Sequence, residues 1–298
     1  MQLGVSLEPP RWRAHGGGAV LQTALRAEQL GLDYLLMSDH LLASEGGANL
    51  DPLITLAAVA GATARIRLAT SILALPYRHP LVVAQQAAAL DVISGGRFTL
   101  GVGTGWDPAE FAALGLEVRH RGARTDEALE LLRALWSGPP VTHTGRFTSF
   151  DGVVPATAPR AKGGPDIWIG GQSDAALRRA LRFGDGWHGG VSTPEQVREV
   201  RERLARFGEE FYRDPGELTL STVCFVVPPG FEPEVPLPGE PLGGPGASSG
   251  QLLDALGRLG EAGLSMVSLW LPLGPLRLVE ALEWVANDLL EPLRRRFG

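Results

Sequence analysis

Short apolar runs alternate with helix-period patterns along this chain, and that alternation limits its architecture more than any single motif does. The predicted strands are Leu3–Glu8, Tyr34–Ser38, Ile66–Leu73, Phe98–Gly103, Asp166–Gly170, Gly186–Val191, Leu218–Val227 and Met266–Leu271. Most are continuous apolar runs, as parallel strands covered on both faces require. Between them the helical period predicts Ala19–Leu30, Pro52–Ala64, Pro80–Ile93, Arg121–Trp136, Ala175–Phe183, Pro194–Phe211, Ser249–Ala262 and Leu276–Phe297. Gly31, Gly184 and Gly263 stand where helices end. Asp51-Pro52 and Thr193-Pro194 each read as an N-cap followed by proline in the first turn. Eight strand–helix units in strict order predict an α/β fold, a (β/α)8 TIM barrel formed as one domain over residues 1–298. An open doubly wound sheet is the runner-up.

Composition narrows the function classes. A formal net charge of −6 without a compensating basic stripe argues against nucleic-acid or membrane-surface partners. Cys224 is the single cysteine, so no intramolecular disulfide can form. The start, Met1-Gln-Leu-Gly-Val, enters a strand pattern directly, and no apolar run reaches the length of a membrane span. The expected compartment is the cytoplasm, the expected partner a small-molecule substrate, and no metal is expected.

Two segments interrupt the alternation. Residues 141–153 read as a hairpin turning at Gly145-Arg146, which topology assigns to the N-terminal, stability face of the barrel. Residues 228–246 follow the seventh strand; twelve of these nineteen are proline or glycine and every charge is acidic. The segment reads either as a disordered insert or as a lid that excludes water. The helices at 52–64 and 80–93 are small and apolar around most of their circumference. An outer barrel helix should keep a polar face, so this pair predicts a homodimer packed through these two helices. Coverage by the chain's own insertions is the alternative.

A barrel builds its site from residues just past its strand ends. The second strand ends in Ser38-Asp39-His40, a carboxylate beside an imidazole that can move a proton; a pair that only caps a loop is the bland reading. His79-Pro80 reads as a helix start. The fourth strand runs into Gly101-Val102-Gly103-Thr104-Gly105-Trp106, where alternate glycines allow close backbone approach to a ligand. Trp106 either walls the site or closes the barrel mouth. The fifth strand ends in Gly170-Gly171-Gln172-Ser173, leading into a helix whose free N–H groups would form an anion site. Asp174 competes with an anion there unless it turns outward.

In order along the chain, Ser38-Asp39-His40, Thr70-Ser71, Tyr77-Arg78-His79-Pro80, Ser94-Gly95-Gly96-Arg97, Gly101-Val102-Gly103 with Gly105-Trp106, Gly145-Arg146-Phe147, Ile167-Trp168-Ile169-Gly170-Gly171 and Gly184-Asp185-Gly186-Trp187 are all present. This series resembles the luciferase-like monooxygenase superfamily, and within it the branch of coenzyme F420-dependent oxidoreductases. The likeness is strong over residues 1–190 and looser beyond.

The resemblance implies a deazaflavin, coenzyme F420, or alternatively FMN, lying across the barrel mouth. Its phosphate would sit near Gly170, Gly171, Gln172 and Ser173, with a cis peptide from Ser71 to Ile72 behind its ring. Ser71, Ile72, Gly103, Thr104, Gly105, Trp106 and Asp39 complete the implied cofactor contacts. The implied reaction is hydride transfer to or from a small organic substrate, with His40 handling the proton and Asp39 orienting the imidazole. Some relatives carry an acidic proton donor where this chain has Trp106, which puts sugar-phosphate dehydrogenation in doubt and leaves Glu110 as a weaker substitute. Arg11, Arg13 and Arg78 are candidates to line an exit for the cofactor's anionic tail. An FMN-dependent monooxygenase using dioxygen and a non-catalytic cofactor-binding barrel are the alternative functions.

Overall fold

In the computed structural model, which describes residues 1–7, 17–42 and 50–297, strands and helices alternate as the pattern predicts. The first half contains β1 (Gln2–Ser6), α1 (Gly17–Gln29), β2 (Tyr34–Met37), α2 (Pro52–Ala62), β3 (Arg67–Thr70), β4 (Leu73–Ala74), α3 (Pro80–Ser94), β5 (Phe98–Gly103), α4 (Pro108–Ala113) and α5 (Arg121–Ser137). A hairpin of β6 (Val141–Thr144) and β7 (Ser149–Val153) precedes β8 (Asp166–Gly170), α6 (Asp174–Phe183), β9 (Gly186–Gly189) and α7 (Pro194–Phe211). The chain then forms β10 (Thr219–Phe225), α8 (Ser249–Glu261), β11 (Met266–Trp270), α9 (Pro275–Trp284) and α10 (Glu291–Phe297).

The parallel order β3-β2-β1-β11-β10-β9-β8-β5 closes on itself, because Leu68 and Ala69 of β3 pair with Phe98 and Thr99 of β5. Closure excludes the open sheet. The protein is a (β/α)8 barrel. Consecutive residues of β2 show how it packs: Leu35 and Met37 join the large core between strands and helices. Tyr34 and Leu36 instead join a smaller cluster with Ala69, Trp168 and Met266. Period-two side-chain alternation makes that division. Each fully buried leucine contributes about 2 kcal/mol by leaving water.

The predicted caps are present. Asp51 accepts the N–H of Ile54, and Thr193 forms a reciprocal capping box with Gln196. His79 caps α3, its ring accepting the N–H of Leu81 at 3.2 Å.

The structure departs from the prediction at the last helix and the hairpin, α4 is additional, the third strand is split into β3 and β4, and residues 228–246 do not follow the disordered reading. The last helix is not continuous. A π-helical segment, Val285–Leu290, separates α9 from α10, just before Pro292, which lacks the N–H an α-turn would need. The hairpin lies along α5: Glu127 accepts the N–H groups of Arg146, Phe147 and Thr148 at 2.7–3.1 Å, so its tip meets the first half of that helix and not the bottom of the barrel. Residues 228–246 are packed and not loose. Leu242 is buried, its N–H donates to Phe225, and the Glu234 N–H donates to Pro272, which ties the segment over the ends of β10 and β11. Among the described residues no helix is long and apolar enough to cross a membrane.

Candidate active site

The C-terminal ends of β2, β3, β5 and β8 enclose a cavity of about 280 Å³. Its walls include the predicted Ser38, Asp39, His40, Ser71, Ile72, Thr104, Gly105, Trp106, Gly170 and Gly171, together with Ala74, Tyr77 and Glu110. Gln172 and Ser173 are exposed at the start of α6, next to Gly171. A larger cavity of about 600 Å³ lies against α7 and the beginnings of β10 and β11. That is the N-terminal face, where a barrel's residues serve stability, so size does not make it the site.

The floor is built by one residue and three glycines. The Ser71–Ile72 peptide is cis, as the resemblance implies. The Ile72 side chain occupies the space that side chains on β5 and β8 would need. A Cβ on Gly103 would lie 2.2 Å from its Cδ1, and one on Gly170 2.1 Å. At Gly101 a Cβ would fall 2.0 Å from the Thr70 carbonyl oxygen. The sequence suggests Gly101 and Gly103 as clearance for a ligand. The clearance is taken by the protein's own chain, and the ligand-facing surface is Ile72.

The charged side wall differs from the expectation for Asp39. Both oxygens of its buried carboxylate are engaged: Arg78 donates to them at 2.5 and 2.8 Å, and the Ala74 N–H donates at 2.9 Å. Asp39 therefore anchors the β4 segment and Arg78; it does not orient the His40 imidazole. Arg78, held also by Asp51 at 3.3 Å, is not free to line a cofactor exit. Arg11 and Arg13 lie outside the described residues.

The partner of His40 is Glu110, on α4. Its Oε1 stands 3.5 Å from His40 Nδ1, longer than a good hydrogen bond but the nearest carboxylate contact to that ring. The Glu110 side chain is 2% exposed and accepts the N–H groups of Leu41 and Leu42 and the hydroxyl of Tyr77. Burial opposes its ionisation. The Leu42 N–H, the Tyr77 hydroxyl, the Leu41 N–H and His40 outweigh that and hold the carboxyl below the usual glutamate range. Burial, and then the bond to Glu110, raise the Tyr77 phenol, so it stays a donor. Trp106 is 72% exposed and meets the His40 ring edge-on, with centroids 6.0 Å apart.

Beyond the cavity, Asp174 turns to Arg203, which donates at 2.6 and 3.0 Å and also binds the Gln172 carbonyl. This pairing removes the objection that Asp174 competes for an anion at the α6 start. Ser173 caps that helix through Ala176, and the Trp187 indole donates to the Gly171 carbonyl at 2.7 Å, fixing the turn.

The profile of the luciferase-like monooxygenase family matches residues 1–228. The chain belongs to that family. It is 36% identical over 214 residues to an F420-dependent hydroxymycolic acid dehydrogenase of Mycobacterium tuberculosis, an alignment covering 68% of this chain and 57% of the relative. It is also 36% identical over 166 residues to a 4-hydroxyprotoasukamycin monooxygenase of Streptomyces nodosus subsp. asukaensis, covering 55% and 44%. The matched segments span about half the length of such curated relatives. A solved F420-dependent secondary alcohol dehydrogenase, in complex with an F420–acetone adduct, superposes with a TM-score of 0.81 at 20% identity, over 97% of this chain and 98% of that one. At that identity the likeness shows the shared barrel.

Within this luciferase-like barrel, sequence reading brought together Asp39, His40, Ser71, Ile72, Thr104, Gly105, Trp106, Gly170 and Gly171. It missed the partnership of Glu110 with His40, although Asp107-Pro108 carries the same N-cap and proline signal that marked two other helices. It also missed His188, buried beside the floor with its rings stacked on Trp168. The only signal there was a polar residue inside a buried strand.

Proposed function

We propose that this protein is an oxidoreductase that moves a hydride between a deazaflavin, coenzyme F420, and a small organic substrate. The observation that carries the reading is the Ile72 platform, set between the His40–Glu110 wall and the exposed start of α6. The residues present fit such a group. Ile72 offers an apolar face to a flat ring, and Gly171 leads from the cavity to first-turn N–H groups suited to a phosphate. Ser71, Thr104, Gly105 and Trp106 would flank the ring, and Gln172 and Ser173 the phosphate. When bound, the cofactor supplies the two-electron chemistry, and the protein supplies position and proton handling. Asp39 acts indirectly, holding Ala74 and Arg78 so that the floor keeps its shape.

His40 is the acid/base. With Nδ1 beside the Glu110 carboxylate, Nε2 is the atom left to give or take a proton at the substrate. F420-dependent names among the relatives support this reading. The monooxygenase relative marks the competing one, an FMN enzyme that uses dioxygen.

Titrating the purified protein with F420 and with FMN, each followed by fluorescence, separates them. Saturable binding of F420, with His40→Ala retaining binding but losing turnover, is the expected result. Binding of FMN alone, with dioxygen uptake, would replace the reading by the monooxygenase one. No binding of either would end both.

A further inference from the structure

Directly beneath the floor, Ser71 leads into a hydrogen-bonded line with two side chains, His188 and Ser221, that the reaction scheme above leaves unused. The Ser71 Oγ lies 2.8 Å from Nε2 of His188, and Nδ1 of the same ring lies 2.9 Å from the Ser221 Oγ. The Ser221 Oγ in turn lies 3.0 Å from the Trp187 carbonyl oxygen. His188 and Ser221 are buried, whereas Ser71 reaches the cavity.

The direction of this line can be deduced. Two oxygens 3.0 Å apart need a proton between them, and the Trp187 carbonyl has none, so the Ser221 hydroxyl donates to it. Having one proton, Ser221 can then only accept from the imidazole, which puts the ring proton on Nδ1. Nε2 is left bare, so the Ser71 hydroxyl must donate to it. Burial lowers the His188 pKa to about 4, which keeps the ring neutral and the direction fixed at neutral pH.

We propose that His188 is a positioning residue that acts through Ser71: by taking its proton, it leaves that hydroxyl able only to accept a hydrogen bond from whatever occupies the cavity. The ligand group it favours is therefore a donor, such as a ring N–H, and a bare carbonyl or carboxylate oxygen at that place is disfavoured. The choice of a flavin or deazaflavin ring as that ligand rests on the function proposed above. The hydrogen-bond direction does not, and the test separates the two.

Long-range proton–nitrogen NMR correlations on the 15N-labelled, ligand-free protein report which imidazole nitrogen carries the proton. The His188 signals are identified by their loss in His188→Asn. A neutral ring protonated at Nδ1 is expected, and one protonated at Nε2 overturns the proposal whatever the cavity binds. Ser221→Ala removes the acceptor at Nδ1 and should move the ring toward the Nε2–H form. Without touching the cavity, it should weaken binding of the probe that wild type accepts, F420 or FMN, by about five- to ten-fold. Ser71→Ala should weaken it to a similar degree, and the double variant no further. An unchanged tautomer and unchanged affinity in Ser221→Ala would also overturn it. If wild type binds neither probe, the cofactor reading falls, while the relay is still decided by the imidazole spectrum.

Discussion

His40, Glu110 and Asp39 carry three different burdens, although two of them are neighbours in the chain. Glu110→Gln keeps the shape of the side chain but removes the charge beside His40. Turnover should fall by about 100-fold with cofactor affinity nearly unchanged. Steady-state kinetics beside a binding titration checks this; unchanged turnover with a lower melting temperature would reduce Glu110 to a structural role. Asp39→Asn should act mainly on stability, because it leaves the largely buried Arg78 guanidinium without its bidentate partner. A loss of about 3 kcal/mol or more is expected in urea unfolding.

His188 makes stability depend on pH. Its folded pKa is depressed to about 4 from an ordinary value of 6.5. The unfolded chain therefore binds the extra proton between these values, and stability is full above about 6.5 and declines as pH falls toward 4. The span is worth about 3 kcal/mol at about 1.4 kcal/mol per unit. His188→Gln should flatten the urea stability profile across that window. At this scale the sequence signals that Ser38-Asp39-His40 ends a strand, where these residues line the cavity, but not the pairing within it. Which carboxylate meets the imidazole depends on how α4 folds back, and local order along the chain carries no such information.

Among the elements, strands and caps were the most legible, because apolar runs and N-cap chemistry are local. The interruption of the third strand at Ser71–Ile72 was legible only through family likeness. The π-helical segment before Pro292 was overlooked, although a proline inside a helical pattern is a local signal. The packing of residues 228–246 onto β10 and β11 was beyond composition, which registers proline and glycine but not the anchoring of Leu242. The meeting of β5 and β8 at Ile72 gives a test at this scale. Gly103→Ala should disturb the floor by displacing the Ile72 Cδ1, which a Cβ there would otherwise approach to 2.2 Å. The expected outcome is lower thermal stability and lost cofactor binding.

On the scale of the whole molecule, α2 carries no charged residue and α3 only the buried Asp91. Their outer surface exposes Ile54, Val82, Val92 and Ile93. We propose that a second copy of the chain covers this uncharged face. Light scattering should give twice the 31.7 kDa of the chain, and Ile54→Glu with Val82→Glu should return it to a monomer. A monomeric wild type would refute the proposal.

The glycine-framed seat of Ile72 has a consequence for how such barrels can change. Because Gly103 and Gly170 both abut the same terminal methyl, these three positions are expected to mutate as a set. Shortening Ile72 to valine removes that methyl but leaves side-chain carbons 3.2 Å from a Cβ at either glycine, so Ile72→Val should rescue Gly103→Ala only in part. A lineage that trims residue 72 first meets the smaller steric cost at each later step, so sterics favour one order of substitutions before selection for any substrate begins.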